Sequence, residues 1–492
     1  MRQILKRLVR MIIGYGAVQW AGPLLSLIFT PIITRVLNPA DYGVADYVFT
    51  ISSAIAIVAT FGLPQALTTH FNDQSDSVWQ RRVVGSALVP ALAFAAIASV
   101  ALLILAPWIA QVSFGNQMHT SLFQLVGAAF TSGTVGMILT TAAQSALRVR
   151  WGMTFSVATV LTMAMGNVLF IVILRLGAMG LLLTPILTAA TVSVLSAIIA
   201  RSLIGAPSWS TVKLLLKSGA WLLPGAAAVW ALQMVDRLFL VRYVSTTELG
   251  HYAIANKLAG LLYVALSPLY TAWTPLALAT QNDPNARERY ASMSRIFVGV
   301  VLLAALGLSL FSTEILIILT RPAYLPASPY VGFLVYGQVF GGIGTLFYAG
   351  ALASRLLKEV SWSALVGAGV NMLLNFALVP TYKIWGATIA TVIGMAVPQL
   401  FLYVWVQRKY PIPYPISKLV YALLVQFVLV IVGRFVPPLR FPLRVALKLG
   451  LFALLPLSYI WLGIISRHEV KQVGLFVHNR LRLLGSVIEP ED

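Results

Sequence analysis

The sequence contains no cysteine. That excludes a disulfide framework, a thiol nucleophile and a thiolate metal site. Charge is scarce as well: only 10% of its 492 residues are Asp, Glu, Lys or Arg, against about 25% in an ordinary soluble domain. Acid is the scarcer sign, with 14 acidic residues to 34 basic ones. No Gly-Lys dipeptide occurs, so a Walker A loop for ATP is ruled out. His468-Glu469 lacks the second His of a zincin helix. No His and carboxylate cluster has metal-ligand spacing, and no nucleophile elbow is present. The alternating ten-residue segments of an outer-membrane barrel are also missing.

What the chain does have is apolar length. It is 59% hydrophobic with mean hydropathy +0.88, and apolar runs follow one another from Met11 to Ile465. Runs of about 20 residues cross a ~30 Å hydrocarbon core as helices. Fourteen spans are predicted, over approximately 11–36, 44–68, 84–110, 119–146, 152–175, 178–201, 214–243, 247–279, 292–319, 329–354, 361–381, 384–407, 417–436 and 443–465. The apolar run after Arg2, Lys6, Arg7 and Arg10 exceeds a signal h-region and lacks a small-residue cleavage site, so it reads as the first span. The net charge of +20 does not point to nucleic acid, because the basic residues sit mostly in short links. With both termini cytoplasmic, 23 basic residues lie on the cytoplasmic side and nine outside, while Arg237 and Lys257 fall within spans. Such a bias sets orientation. Four of the nine (Arg434, Arg440, Arg444, Lys448) surround the last external link and run against it. The absence of cysteine fits a bacterial inner-membrane protein.

An internal repeat organises the chain. Arg35-Val36-Leu37-Asn38-Pro39-Ala40-Asp41-Tyr42-Gly43 matches Arg242 to Gly250 at an offset of 207. A second match relates the stretch from Asn167 to Gly180 with that from Asn375 to Gly386. The fold class is an all-α integral membrane protein of two six-helix lobes plus two C-terminal helices. The expected divisions are 1–210, 211–410, 411–466 and a basic amphipathic tail over 467–492. An even helix count per lobe gives both copies the same topology, so a pseudo-twofold axis runs along the membrane normal, with a cavity between the lobes. Pro31 and Pro224 are either fixed curvature or hinges.

The repeat also has a local explanation. Ser245-Thr246-Thr247-Glu248 is a capping box, and Asn38-Pro39-Ala40-Asp41 is its counterpart. The buried charges need another account. Lys257 lies eleven residues past Thr246, about 17 Å along a helix and near mid-bilayer. The first-lobe equivalents of Asp236, Arg237 and Lys257 are Phe29, Thr30 and Thr50, so the fold itself does not require these charges. They form either a static Asp236–Lys257 pair or the lining of a polar cavity. Asp46 is the facing acid or a partner for Arg35. Asn371 and Asn375 share a helix face, as glue between helices or as sugar-binding groups. Glu314, close to a helix end, is expected to snorkel. The candidate lining is Lys257, Arg237, Asp236, Asn256, Asp46, Gln233, Tyr252, Gln338, Asn371 and Asn375.

The twin motif, Asp236-Arg237 with Glu248-Leu249-Gly250-His251-Tyr252, and Asn375 through Gly386 to Thr391 together resemble the polysaccharide biosynthesis exporters. These are the O-antigen (Wzx-type) flippases of the multidrug/oligosaccharidyl-lipid/polysaccharide superfamily, and the resemblance spans essentially the whole chain. It implies a transporter rather than an enzyme, moving an undecaprenyl-diphosphate-linked oligosaccharide from the cytoplasmic to the periplasmic leaflet of the inner membrane by alternating access. It implies a cationic cavity between lobes, no cofactor, and proton or sodium coupling as an open matter. Expected partners are the lipid-linked glycan, membrane lipids, a polysaccharide polymerase and a chain-length regulator. Lipid II and drug or cation exporters share the superfamily. A membrane glycosyltransferase or polymerase is the alternative from the enzyme class, but the external links are too short for a catalytic loop. An inside-negative potential favours outward movement of an anion by roughly 2.3 kcal/mol per charge per 100 mV.

Overall fold

A computed structural model describes residues 27–279, 283, 285–437 and 441–461. The four N-terminal basic residues, most of the first span and the tail over 467–492 lie outside these. The described chain is helical, and we number its membrane passes in order. They are α1 (Leu27–Val36), α2 (Pro39–Thr60), α3 (Ser77–Phe114), α4 (Thr120–Ser145), α5 (Val149–Ile173), α6 (Ala178–Leu203) and α7 (Trp209–Tyr243). Then follow α8 (Thr246–Ala279), α9 (Ala286–Leu310) and α10 (Ser328–Ala353). Leu357–Lys409 is one helical run broken at Lys383 (φ 51°), giving α11 before the break and α12 after it. The last two are α13 (Ile416–Arg434) and α14 (Phe441–Trp461). Each expected span thus has a helix among the described residues, the first only over Leu27–Val36, and the protein is a multi-pass membrane protein. Ile97, Ile104, Leu373 and Phe376 are exposed while Asp236, Asn371 and Asn375 are buried. Polar inside and apolar outside is the arrangement hydrocarbon selects.

The two copies of the repeat meet face to face. Asn38 caps α2, its Oδ1 accepting from Asp41 N at 2.7 Å. Ser245 caps α8: its Oγ accepts from Glu248 N at 3.2 Å, and Glu248 Oε2 accepts from Ser245 N at 2.9 Å. One turn on, the helices cross with no room for a side chain. A Cβ on Gly43 would overlap Thr246 O, and a Cβ on Gly250 would overlap Pro39 O. Thr246 is the repeat equivalent of Pro39, and Gly250 that of Gly43. The contact is therefore its own partner under exchange of the copies, as at an isologous two-fold interface. The second match has a similar counterpart. A Cβ on Gly180 would press on Phe170 O, and one on Gly386 on Leu378 O, closing both helix junctions tightly.

The lobes join most closely at the end that holds the α1–α2 and α7–α8 turns. There the link between α9 and α10 reaches over the first lobe. Tyr324 OH donates to Leu37 O at 3.2 Å, Thr34 Oγ1 donates to Leu319 O at 2.9 Å, and Tyr42 meets Tyr324 edge to face. α7 belongs to both lobes. Leu215 packs with Leu63, Leu67 and Val83 of the first lobe, while Val235 packs with Ala368 of the second. Pro224 does not interrupt it; the break comes at Val235, between Trp209–Met234 and Asp236–Tyr243.

Glu314 corrects the snorkelling expectation. It is buried and accepts from Lys448 Nζ at 2.9 and 2.8 Å, with Arg444 Nε 2.8 Å away. Those two cations belong to the group that runs against the basic-residue bias, and pairing with Glu314 accounts for them.

Orientation is directly testable because the chain has no cysteine to remove. Asn116, between α3 and α4, and Ser75, before α3, are both exposed. A cysteine at 116 is expected to react with an impermeant thiol reagent added outside intact cells, and one at 75 only after permeabilisation. The opposite labelling pattern reverses the topology.

Candidate functional site

The interruption of α7 at Val235 sets the site. Next to it, Gln233 O accepts from Arg237 Nη1 at 2.7 Å. Arg237 Nε donates to Asp46 Oδ2 of α2 at 3.1 Å. Asn256 of α8 completes the shell, its Oδ1 accepting from Nη2 at 2.7 Å and Nη1 at 2.9 Å. The guanidinium lies 5.3 Å from the Tyr252 ring centroid. Arg237 thus ties α2, α7 and α8 together within one charge-assisted network, and it is buried.

Asp236, its neighbour, points into the second lobe and is wholly buried. Its Oδ2 accepts from Tyr252 OH at 2.6 Å and from Thr391 Oγ1 at 2.7 Å, and its Oδ1 from Asn375 Nδ2 at 2.8 Å and Asn371 Nδ2 at 3.5 Å. Four neutral donors from α8, α11 and α12 therefore hold one carboxylate. Asn371 and Asn375 act here as interhelical links, one of the two roles open from sequence. Asn375 Oδ1 is buried without a hydrogen-bond partner beside this carboxylate.

Lys257 stands apart. It is half-buried on α8. Its Nζ lies 5.9 Å from the Tyr42 ring centroid, and among the described residues it has no hydrogen bond or ion pair. Two alternatives left open by the sequence are decided here. The Asp236–Lys257 pair does not form. Arg237 pairs with Asp46, which is thereby the partner of Arg237 rather than of the exposed Arg35. The first-lobe equivalent of Lys257, Thr50, is buried with its hydroxyl on Asp46 O at 2.8 Å. Gln233 contributes its carbonyl, its side chain being exposed. Gln338 is half-buried on α10, with no hydrogen bond to this network among the described residues. Thr391 and Tyr42 join the site although the candidate list omits them. The signal for Thr391 was its place in the stretch from Asn375 through Gly386 to Thr391; for Tyr42 it was membership of the repeat, which also has a capping explanation.

The Arg237–Asp46 pair makes a stability prediction. Removing one partner of a buried ion pair costs about 3–5 kcal/mol, whereas replacing both with apolar groups costs far less. Asp46→Ala is expected to lower the unfolding midpoint in detergent markedly. The double replacement Asp46→Leu with Arg237→Leu should recover most of that loss. Equal midpoints for wild type and Asp46→Ala would show that the pair does not hold the lobes.

Comparison with known proteins sharpens the geometry. The polysaccharide biosynthesis protein family profile matches residues 32–329. A lipid II flippase MurJ in an inward closed conformation superposes with TM-score 0.65 at 16% identity, over 92% of this chain and 98% of that one. An inward-facing multidrug resistance MATE transporter of the MOP superfamily superposes with TM-score 0.59 at 17% identity, over 81% of this chain and 96% of that one. At such identities the likeness is one of fold. The uncharacterized membrane protein MJ1068 of Methanocaldococcus jannaschii is 31% identical over 108 residues. That match spans 21% of this chain and only 20% of that protein. With a family profile covering more than half of the chain, the chain belongs to the polysaccharide biosynthesis protein family.

Proposed function

We propose that this protein is a flippase for an undecaprenyl-diphosphate-linked oligosaccharide, moving it from the cytoplasmic to the periplasmic leaflet of the bacterial inner membrane by alternating access. The observation that carries this reading is Lys257: a half-buried cation on α8 with no acid within ion-pair distance among the described residues. A permanent charge at mid-depth in a membrane is costly unless something charged or aqueous meets it. The diphosphate of a lipid-linked sugar is such a partner, because it cannot cross hydrocarbon without replacing its water. Arg237 is already neutralised, so Lys257 carries the anion contact, and Tyr42 flanks it. The first lobe has a separate apolar cleft of about 440 Å³ between α2, α4 and α6, bordered by Phe49, Phe130, Met137 and Pro185. A substrate half glycan and half isoprenoid calls for both kinds of surface. The division at 210 and 410, cytoplasmic termini, and a polymerase and chain-length regulator acting on the delivered repeat unit belong to the same proposal.

Coupling to an ion is centred on Asp236 in this scheme. Its cage, with the unpartnered Asn375 Oδ1, offers a buried set of oxygens to a proton or sodium ion. Movement of Asp236 disturbs α8, α11 and α12 at once, which links the ion to the rocking of the second lobe.

The substitution Lys257→Ala is expected to leave abundance normal and to cut glycan export at least tenfold, while Lys257→Arg retains part of it. Export is read as transfer of labelled lipid-linked oligosaccharide across reconstituted vesicles. Normal export at normal abundance would sink the role of Lys257, and loss of abundance alone would make it structural. Asp236→Asn is expected to lower turnover more than substrate binding and to flatten any sodium or pH dependence. The same vesicles loaded with lipid II or cationic dye separate this substrate from those of the fold relatives.

A further inference from the structure

Two cations of the buried Glu314 cluster, Arg444 and Lys448, line a polar cavity away from Lys257. It lies at the end where α9 and α13 finish and α10 and α14 begin. That is the end where the α1–α2 and α7–α8 turns also lie, the external side by the basic-residue bias. The cavity measures about 350 Å³. Its walls include the hydroxyls of Ser312, Thr313 and Ser328 and the cations Arg434, Arg444 and Lys448. Glu314 offsets only one of the three cations, so the site keeps a surplus of two positive charges.

Two of the cations are held by hydrogen bonds. Lys448 is buried with both carboxylate oxygens of Glu314 on its Nζ. Arg434 Nη2 donates to Pro329 O at 2.6 Å, and the guanidinium lies 4.6 Å from the Phe333 centroid and 5.5 Å from that of Trp385. The hydroxyls are also ordered: Ser328 Oγ lies 2.6 Å from Thr313 Oγ1 and 3.1 Å from Ser312 Oγ. A pre-organised fork of guanidinium groups with adjacent hydroxyls is suited to the oxygens of a phosphate.

The surroundings select the carrier of that phosphate. α13 and α14 carry exposed apolar side chains close in sequence to the lining cations: Phe435 follows Arg434, and Phe441, Leu443 and Leu447 flank Arg444 and Lys448. Phe435 is 82% exposed. Exposed apolar side chains on the helices that supply a basic pocket match a molecule with acyl chains and an anionic head. We propose that this pocket binds a lipid-borne phosphate from the external leaflet, seated on Arg434 and Arg444 with its chains along α14. The phosphate belongs either to a bulk anionic phospholipid or to an isoprenoid diphosphate, and both present the same chemistry.

Binding to the full-length protein in detergent tests this, with phosphatidylglycerol, undecaprenyl diphosphate and inorganic phosphate as separate probes. The combined variant Arg434→Ala with Arg444→Gln is expected to weaken lipid binding at least tenfold. Ser328→Asp, which adds one negative charge to the wall, is a second variant with the same expectation should the first fail to fold. Loss confined to phosphatidylglycerol identifies bulk lipid as the occupant, and loss confined to undecaprenyl diphosphate identifies the isoprenoid. Unchanged lipid affinity in a folded variant overturns the proposal, as does binding of inorganic phosphate with neither lipid.

Discussion

Backbone-to-backbone contact of α2 with α8 at Gly43 and Gly250 is the constraint on which the molecule turns. Helices in hydrocarbon gain little from apolar burial against one another, so small residues that let backbones approach closely are a main source of association. Here the approach brings Asp46 of α2 and Asn256 of α8 to one guanidinium on α7. It also sets the α1–α2 turn beneath the link that carries Tyr324. A side chain at either glycine would push the helices apart and stretch every one of these contacts together.

Polar groups inside the bundle divide into two kinds. Asp236 and Arg237 have their hydrogen-bonding capacity met by groups from several helices, and they hold packing in register. Lys257, on α8 next to Asn256, lies beside the Tyr42 ring and has no hydrogen bond or ion pair among the described residues. The contrast separates the two kinds: Asp236 and Arg237 are satisfied from several helices, whereas Lys257 is not. Glu314 with Lys448 and Arg444 repeats the framing role at the junction of the second lobe with α13–α14.

Most of the architecture was legible in the sequence because hydrocarbon imposes a simple rule of about 20 apolar residues per pass. The repeat could be read because Arg, Asn or Ser, an acid and Gly recur at one offset. Partner assignments were not legible. Asp46 and Arg237 are 191 positions apart, and nothing local in either stretch names the other. Glu314 looked like a helix-end acid because its partners come from α14, more than a hundred residues later. The role of α7 in both lobes was hidden for the same reason: an apolar face does not say which neighbour covers it.

The contact between Gly43 and Gly250 also bears on ancestry. Two identical six-helix chains, inserted in the same direction, would form that crossing across a true two-fold axis, each glycine set against the partner chain's equivalent of Pro39. In such a homodimer every charge near the axis appears twice, so a lysine at the place of Lys257 would confront its own image and be repelled. A single chain carrying both copies is free of that penalty. The first copy keeps Phe29, Thr30 and Thr50 where the second has Asp236, Arg237 and Lys257. Asymmetry of charge within a symmetric frame is a chemistry open to a gene after duplication and closed to the dimer before it.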